Sequence, residues 1–98
     1  MPRWTLPALL DTRDILDLFD AQSEDAAHRL LDRIIIAANR LDTFPRFGKP
    51  GPEPGLRQLV VAGTAYKIYY QLADDDQAEI LRVLPSALAW PPKPRRPA

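Results

Sequence analysis

The sequence predicts an α+β domain: an N-terminal antiparallel helical hairpin packed on one face of a small antiparallel sheet, made of a short first strand and a three-stranded meander. Three observations carry this. Residues 56–84 hold apolar runs rich in Val, Ile, Leu and Tyr, parted by turn signals at Ala62-Gly63-Thr64 and Asp74-Asp75-Asp76. Residues 6–41 repeat apolar side chains at spacings of three and four, the period of a helix with one buried face. The connection between the two helical stretches, Asp20-Ala21-Gln22, is short enough to fold them back on each other.

Taken in order, Arg3-Trp4-Thr5 has room only for a short edge strand. Thr5 is placed to cap the first helix, and Pro7 suits a first turn because its missing N–H would have no helical partner there. From Leu6 to Phe19, Ala8, Thr12, Ile15 and Phe19 form one stripe with Leu9 and Leu16 beside it, and Asp11, Asp14 and Asp17 are expected to face away. Ser23 caps the second helix, with Glu24 and Asp25 set favourably against its dipole. Its apolar set is Ala27, Leu30, Leu31, Ile34, Ala38 and Leu41, widened by Ile35 and Ile36. Phe44-Pro45 ends it, since a residue before proline avoids the α region. Arg46 to Gly55 interleaves glycines and prolines with two cations and reads as a loop long enough to carry function.

In the meander, Ile68, Tyr70 and Leu72 are expected to face the helices, with Lys67, Tyr69 and Gln71 on the other side. Along 78–84 both parities are apolar, Leu81 with Val83 and Ile80 with Leu84, as in a central strand. Arg82 is the only cation in that run, so it either lies on an open sheet face or is paired. Pro85 breaks the ladder. Ser86–Trp90 is a short apolar extension whose Trp90 can dock on the sheet. Residues 1–92 are thus expected to form one domain, and 93–98 a flexible, basic, Pro-rich tail.

Composition narrows the class. Of 98 residues, 46% are hydrophobic and 27% charged, ordinary for a globular protein. The absence of cysteine rules out disulfides and Cys-based metal sites, and points to a reducing compartment. No apolar run is long enough to span a bilayer and no signal-peptide pattern opens the chain, so the cytoplasm is the expected location. Net charge is zero, but residues 1–42 carry five Lys/Arg against eight Asp/Glu and residues 43–98 carry eight against five. Such polarity suits a polyanion or an acidic partner segment, or simply two solvated faces.

Chemistry-bearing patterns are sparse. His28 is the sole histidine, so neither a metal site nor a hydrolase triad is supported, and neither a metal nor a cofactor is expected. Asp74–Asp76 fits a hairpin turn better than a cation site. Gly48, Gly51 and Gly55 are interleaved with prolines and lead into a strand, unlike a phosphate-binding loop. The most suggestive set is basic and aromatic: Arg46, Lys49, Arg57, Lys67, Tyr69 and Arg82, with Trp90 beside the last strand. Such cations could hold phosphates and such tyrosines could stack on bases; equally, they could be an ordinary exposed sheet face.

Across residues 4 to 92 the sequence resembles the RelE/ParE superfamily, the toxins of bacterial type II toxin–antitoxin systems. The matching segments are the link Leu41-Asp42-Thr43-Phe44-Pro45-Arg46-Phe47-Gly48-Lys49-Pro50-Gly51, the strand positions Arg57, Leu59, Tyr66, Ile68 and Tyr70, and the last strand Glu79–Leu84. The resemblance implies a sheet packed against a helical hairpin and a cognate antitoxin, a small protein encoded nearby, that binds the toxin in a hetero-oligomer. It also implies one of two activities. RelE-like members cut mRNA on the ribosome with basic sheet residues and, in some branches, a histidine or tyrosine after the last strand. Here Lys67 stands where a RelE-type arginine would be, Gln58 and Val60 fall near the lysine positions, and Pro85 replaces the closing histidine. A ribonuclease of this kind would have to work with Lys67, Arg57, Arg82 and Tyr66 (or Tyr69). ParE-like members inhibit DNA gyrase and are not hydrolases. The "EILRVL" strand and the missing acid–base groups favour the ParE branch, with the ribosome-dependent ribonuclease as the alternative and a degenerate, non-toxic antitoxin-binding member as the third.

Overall fold

Each helix begins at the residue its sequence nominates. In a computed structural model, which describes residues 1–94, the Thr5 hydroxyl accepts from the Ala8 N–H to cap α1 (Leu6–Asp20). Ser23 caps α2 (Glu24–Thr43) through the Ala26 N–H. Phe44 closes α2 in a non-helical conformation before Pro45, its N–H still reaching the Arg40 carbonyl. No described helix is long and apolar enough to cross a membrane. Most of the tail expected over 93–98 lies outside the described residues.

The strands are β1 (Arg3–Trp4), β2 (Lys49–Pro50), β3 (Arg57–Val60), β4 (Tyr66–Leu72) and β5 (Ala78–Pro85), in the order β1-β5-β4-β3-β2. β3, β4 and β5 form the expected meander. Gly63, at φ +76, turns the chain between β3 and β4, and Asp76, at φ +61, turns it between β4 and β5. The sheet differs from the expectation in two ways. β1 pairs with β5 in parallel, making the sheet mixed; the connection that parallel neighbours require here comprises the helical hairpin and the strands β2 to β4. The Arg46–Gly55 loop also donates a strand: β2 pairs antiparallel with β3, and Gly51 N–H reaches the Leu56 carbonyl.

Two apolar clusters hold the layers, one on each face of the sheet. On the helix side, Ala8 and Ile15 of α1 and Ile34, Ala38 and Leu41 of α2 pack on Ile68, Tyr70, Ile80 and Val83. Each large aliphatic side chain fully buried here contributes about 1.5–3 kcal/mol. On the other side, Leu56, Tyr69 and Leu84 are buried with Leu81 and Trp90 packed against them. The parity expected for β5 is therefore not the one observed: Ile80 pairs with Val83, and Leu81 with Leu84. The register explains it. Tyr69 opposes Arg82 while Tyr70 opposes Ile80, so Leu81 is an extra residue, and this bulge shifts the alternation by one.

The helical stripes also need correcting. Ile36 and Leu9 are exposed rather than part of the buried faces, and Asp11, expected to face away, is 5% exposed on the sheet side of α1.

Candidate functional site

The basic and aromatic candidates do not form one array. β4 places Lys67 and Tyr69 on the face away from the helices, and Lys67 Nζ lies 5.1 Å from the Tyr69 ring centroid. The cross-strand neighbours of Lys67 are Val60 and Leu84. Tyr69 is not an open stacking surface: it is 1% exposed, with the Trp90 ring centroid 4.5 Å away. Trp90 thus docks on the sheet, as its position after β5 suggests, and it seals the ring that could otherwise receive a base.

Arg57 is on the opposite face. Alternation along β3 points it with Leu59 toward the helices, beside Tyr70, its cross-strand partner. There its Nη2 donates to the Gly48 carbonyl at 2.6 Å and the Arg46 carbonyl at 3.0 Å. Tyr70 completes the grip on this link: its hydroxyl donates to the Pro45 carbonyl and accepts from the Gly48 N–H, both at 2.9 Å. Arg57 and Tyr70 therefore hold the 45–48 link against the sheet.

Arg82 turns toward α1. Its Nε and Nη2 donate to the two Asp11 carboxylate oxygens at 2.7 and 3.0 Å, a fork-on-fork pair. Asp11 Oδ2 also accepts from the Val83 N–H at 3.0 Å. β1 ends at Trp4, and the backbone of Thr5 and the side chains of Thr5 and Asp11 then take over as partners for β5. Thr5 N–H donates to the Ile80 carbonyl, the Thr5 hydroxyl donates to the Leu81 carbonyl at the bulge, and Asp11 accepts from Val83. Sequence reasoning missed Asp11, although the signal is there: it lies three residues after Ala8 and four before Ile15, on the buried stripe.

The remaining candidates are peripheral. Arg46 is exposed and pairs with Asp76 at 3.1 Å. Lys49 is exposed on β2 at the sheet's far edge. Tyr66 faces the helices, edge-on to Phe19, and burial pushes its phenol above the ordinary 10.0. The acidic turn is occupied as a turn: Asp75 accepts from the Gln77 N–H, which holds its carboxyl below the ordinary range, with Arg3 adding to the effect. His28 is exposed on α2, its Nδ1 2.9 Å from the Glu24 carbonyl. Among the described residues, no three His, Asp or Glu side chains are grouped to hold a metal ion.

What unites the chain with known proteins is therefore its whole architecture rather than a cluster. The family described as "ParE toxin of type II toxin-antitoxin system, parDE" matches residues 3–90. A protein of Sinorhizobium fredii (strain NBRC 101917 / NGR234) named "Putative toxin Y4kP" is 37% identical over 89 residues, 91% of either chain. A solved structure described as "Chromosomal ParDE TA system from P. aeruginosa" superposes with a TM-score of 0.78 over 85% of this chain and 91% of that one, at 21% identity.

Proposed function

Since the chain belongs to the ParE toxin family of type II toxin–antitoxin systems, we propose that it acts in the cytoplasm by trapping DNA gyrase on cleaved DNA, and that a small antitoxin silences it. The observation that carries this reading over the ribonuclease is the surroundings of Lys67. Cutting RNA by 2′-hydroxyl attack needs a group to accept a proton or to protonate the leaving oxygen. Around Lys67 stand Val60, Leu84 and the sealed ring of Tyr69, while Tyr66 lies on the other face and Arg57 and Arg82 are engaged by carbonyls and a carboxylate. Cations without a proton-transfer partner suit a protein that binds its target rather than one that cleaves RNA. The P. aeruginosa likeness, described as a ParDE system, supports an antitoxin partner and a hetero-oligomeric resting state.

Purified protein added to gyrase and relaxed plasmid tests this directly. The expected result is loss of supercoiling with accumulation of cleaved DNA, and relief of both by the product of the small reading frame beside this gene. Ribosome-bound mRNA cut at codon boundaries, with the cuts abolished by Lys67→Ala, would assign the RelE-type activity instead. Growth unaffected by induction would leave only an antitoxin-binding member.

A further inference from the structure

The bare aromatic surface of this molecule is on the link after α2, not on the sheet. Among the described residues, Phe44 and Phe47 are the only exposed aromatics, at 62% and 59%, whereas all three tyrosines are buried. The two phenylalanines open and close a β-turn. The Phe47 N–H donates to the Phe44 carbonyl at 3.0 Å, and Pro45 holds the second position, where its fixed φ suits such a turn. The end residues of a β-turn lie within about 7 Å of each other, so both rings leave the chain at one place.

The turn is tied down and cannot fold its rings away. Tyr70 and Arg57 hold the carbonyls of Pro45, Arg46 and Gly48 and the N–H of Gly48. Two uncovered rings on a rigid mount forgo burial in the core, and they lose little freedom when something else covers them. Cations surround them. Phe44, Arg46 and Phe47 border a hollow of about 370 Å³, and Phe47 also borders an adjoining hollow with Arg40 and Lys49. From residue 40 to residue 49 the one carboxylate is Asp42, and the Met1 amino group engages it at 2.8 Å. Neither Arg40 nor Lys49 has a carboxylate partner among the described residues. The Arg46–Asp76 pair is exposed on both sides and so yields readily to another anion.

We propose that this link binds an unpaired DNA strand, with Phe44 and Phe47 stacking on bases and Arg40, Arg46 and Lys49 holding phosphates. Rings and cations interleaved along one turn match the alternation of base and phosphate along a strand, and any base suits because each has a π-face. An acidic peptide satisfies the cations but leaves both rings wet. A closed duplex hides its base faces in the stack, whereas a cleaved one bares them at its ends. This contact rests on the gyrase reading above and gives it a site that touches the DNA.

The test titrates the full chain, by fluorescence anisotropy, into a labelled single strand of about ten nucleotides, its duplex, and the RNA strand of the same sequence. The DNA single strand should bind at least about tenfold more tightly than the duplex, and Phe44→Ala with Phe47→Ala should weaken it at least about tenfold with an unchanged melting temperature. Arg40→Gln with Lys49→Gln should lower the slope of log affinity against log salt by about 1.4. As a readout that needs no variant, the ring protons of Phe44 and Phe47 should move upfield in NMR spectra as the strand is added, because a stacked base shields them. A chain that inhibits gyrase yet ignores the strand, or binds it equally well without the two rings, would overturn this site and leave the gyrase reading standing. So would a double phenylalanine variant that loses gyrase in the absence of DNA but keeps its affinity for the strand, which makes the link a protein contact. RNA bound at least about tenfold more tightly than DNA would overturn the assignment to DNA. Strand binding through the rings by a chain that leaves gyrase unaffected would uphold the site and remove the gyrase reading.

Discussion

Asp11 accepts three hydrogen bonds on two oxygens, two from Arg82 and one from the backbone of β5. With the carboxylate 5% and the guanidinium 15% exposed, this is a partly desolvated pair in which each partner depends on the other. Asp11→Ala should cost about 3 kcal/mol in urea unfolding, since it strands both a cation and an edge N–H. Asp11→Ala combined with Arg82→Leu should cost less than the two single changes summed, because no charge is then left unpaired. If Arg82→Ala abolished gyrase inhibition while leaving the melting temperature intact, Arg82 would be a target contact instead. The sequence showed that Arg82 needed an explanation, but it could not supply the partner. Asp11 is 71 residues away, and a carboxylate on a helix stripe looks like a solvated one until the opposing cation is in place.

At the scale of elements, helix boundaries were legible because they depend on neighbours in the chain: Thr5 and Ser23 as caps, Phe44-Pro45 as a stop. The β5 faces were not, since the bulge at Leu81 is set by strand pairing and by the Thr5 hydroxyl on its carbonyl. The link after α2 is the other element whose role appears only in three dimensions. Glycine is required at 48 because a Cβ there would lie 2.6 Å from the Tyr70 hydroxyl and 2.7 Å from the Gln58 carbonyl oxygen. Gly48→Ala should therefore cost about 1–3 kcal/mol through overpacking. Tyr70→Phe, which leaves the Gly48 N–H and the Pro45 carbonyl without their partner, should cost about 1–3 kcal/mol. Both would be read from the urea midpoint, and Tyr70→Phe should also speed exchange of the Gly48 amide.

Over the whole molecule, the fold was readable from apolar periodicity, whereas the candidate site was not. Residue type marks a cation but not which face it reaches, and the structure distributes Arg57, Lys67 and Arg82 among the link, the far face and α1. The two apolar clusters share one strand, with Tyr69 in one and Tyr70 in the other, so they should melt together. Trp4 packs beside the helix-side cluster and Trp90 beside the other, which gives each its own fluorophore. Single-tryptophan variants, Trp4→Phe and Trp90→Phe, should give superimposable urea transitions; separated midpoints would mean that the Trp90 side unfolds on its own. The contrast between the sheet's two borders has a different consequence. A ribbon polymerises only if each monomer offers a strand at both ends. Here the β5 border beyond the two residues of β1 is plugged by Thr5 and Asp11. With that border closed, a neighbouring copy cannot join its own sheet edge to β5, so copies of this chain should not add strand to strand into a fibre.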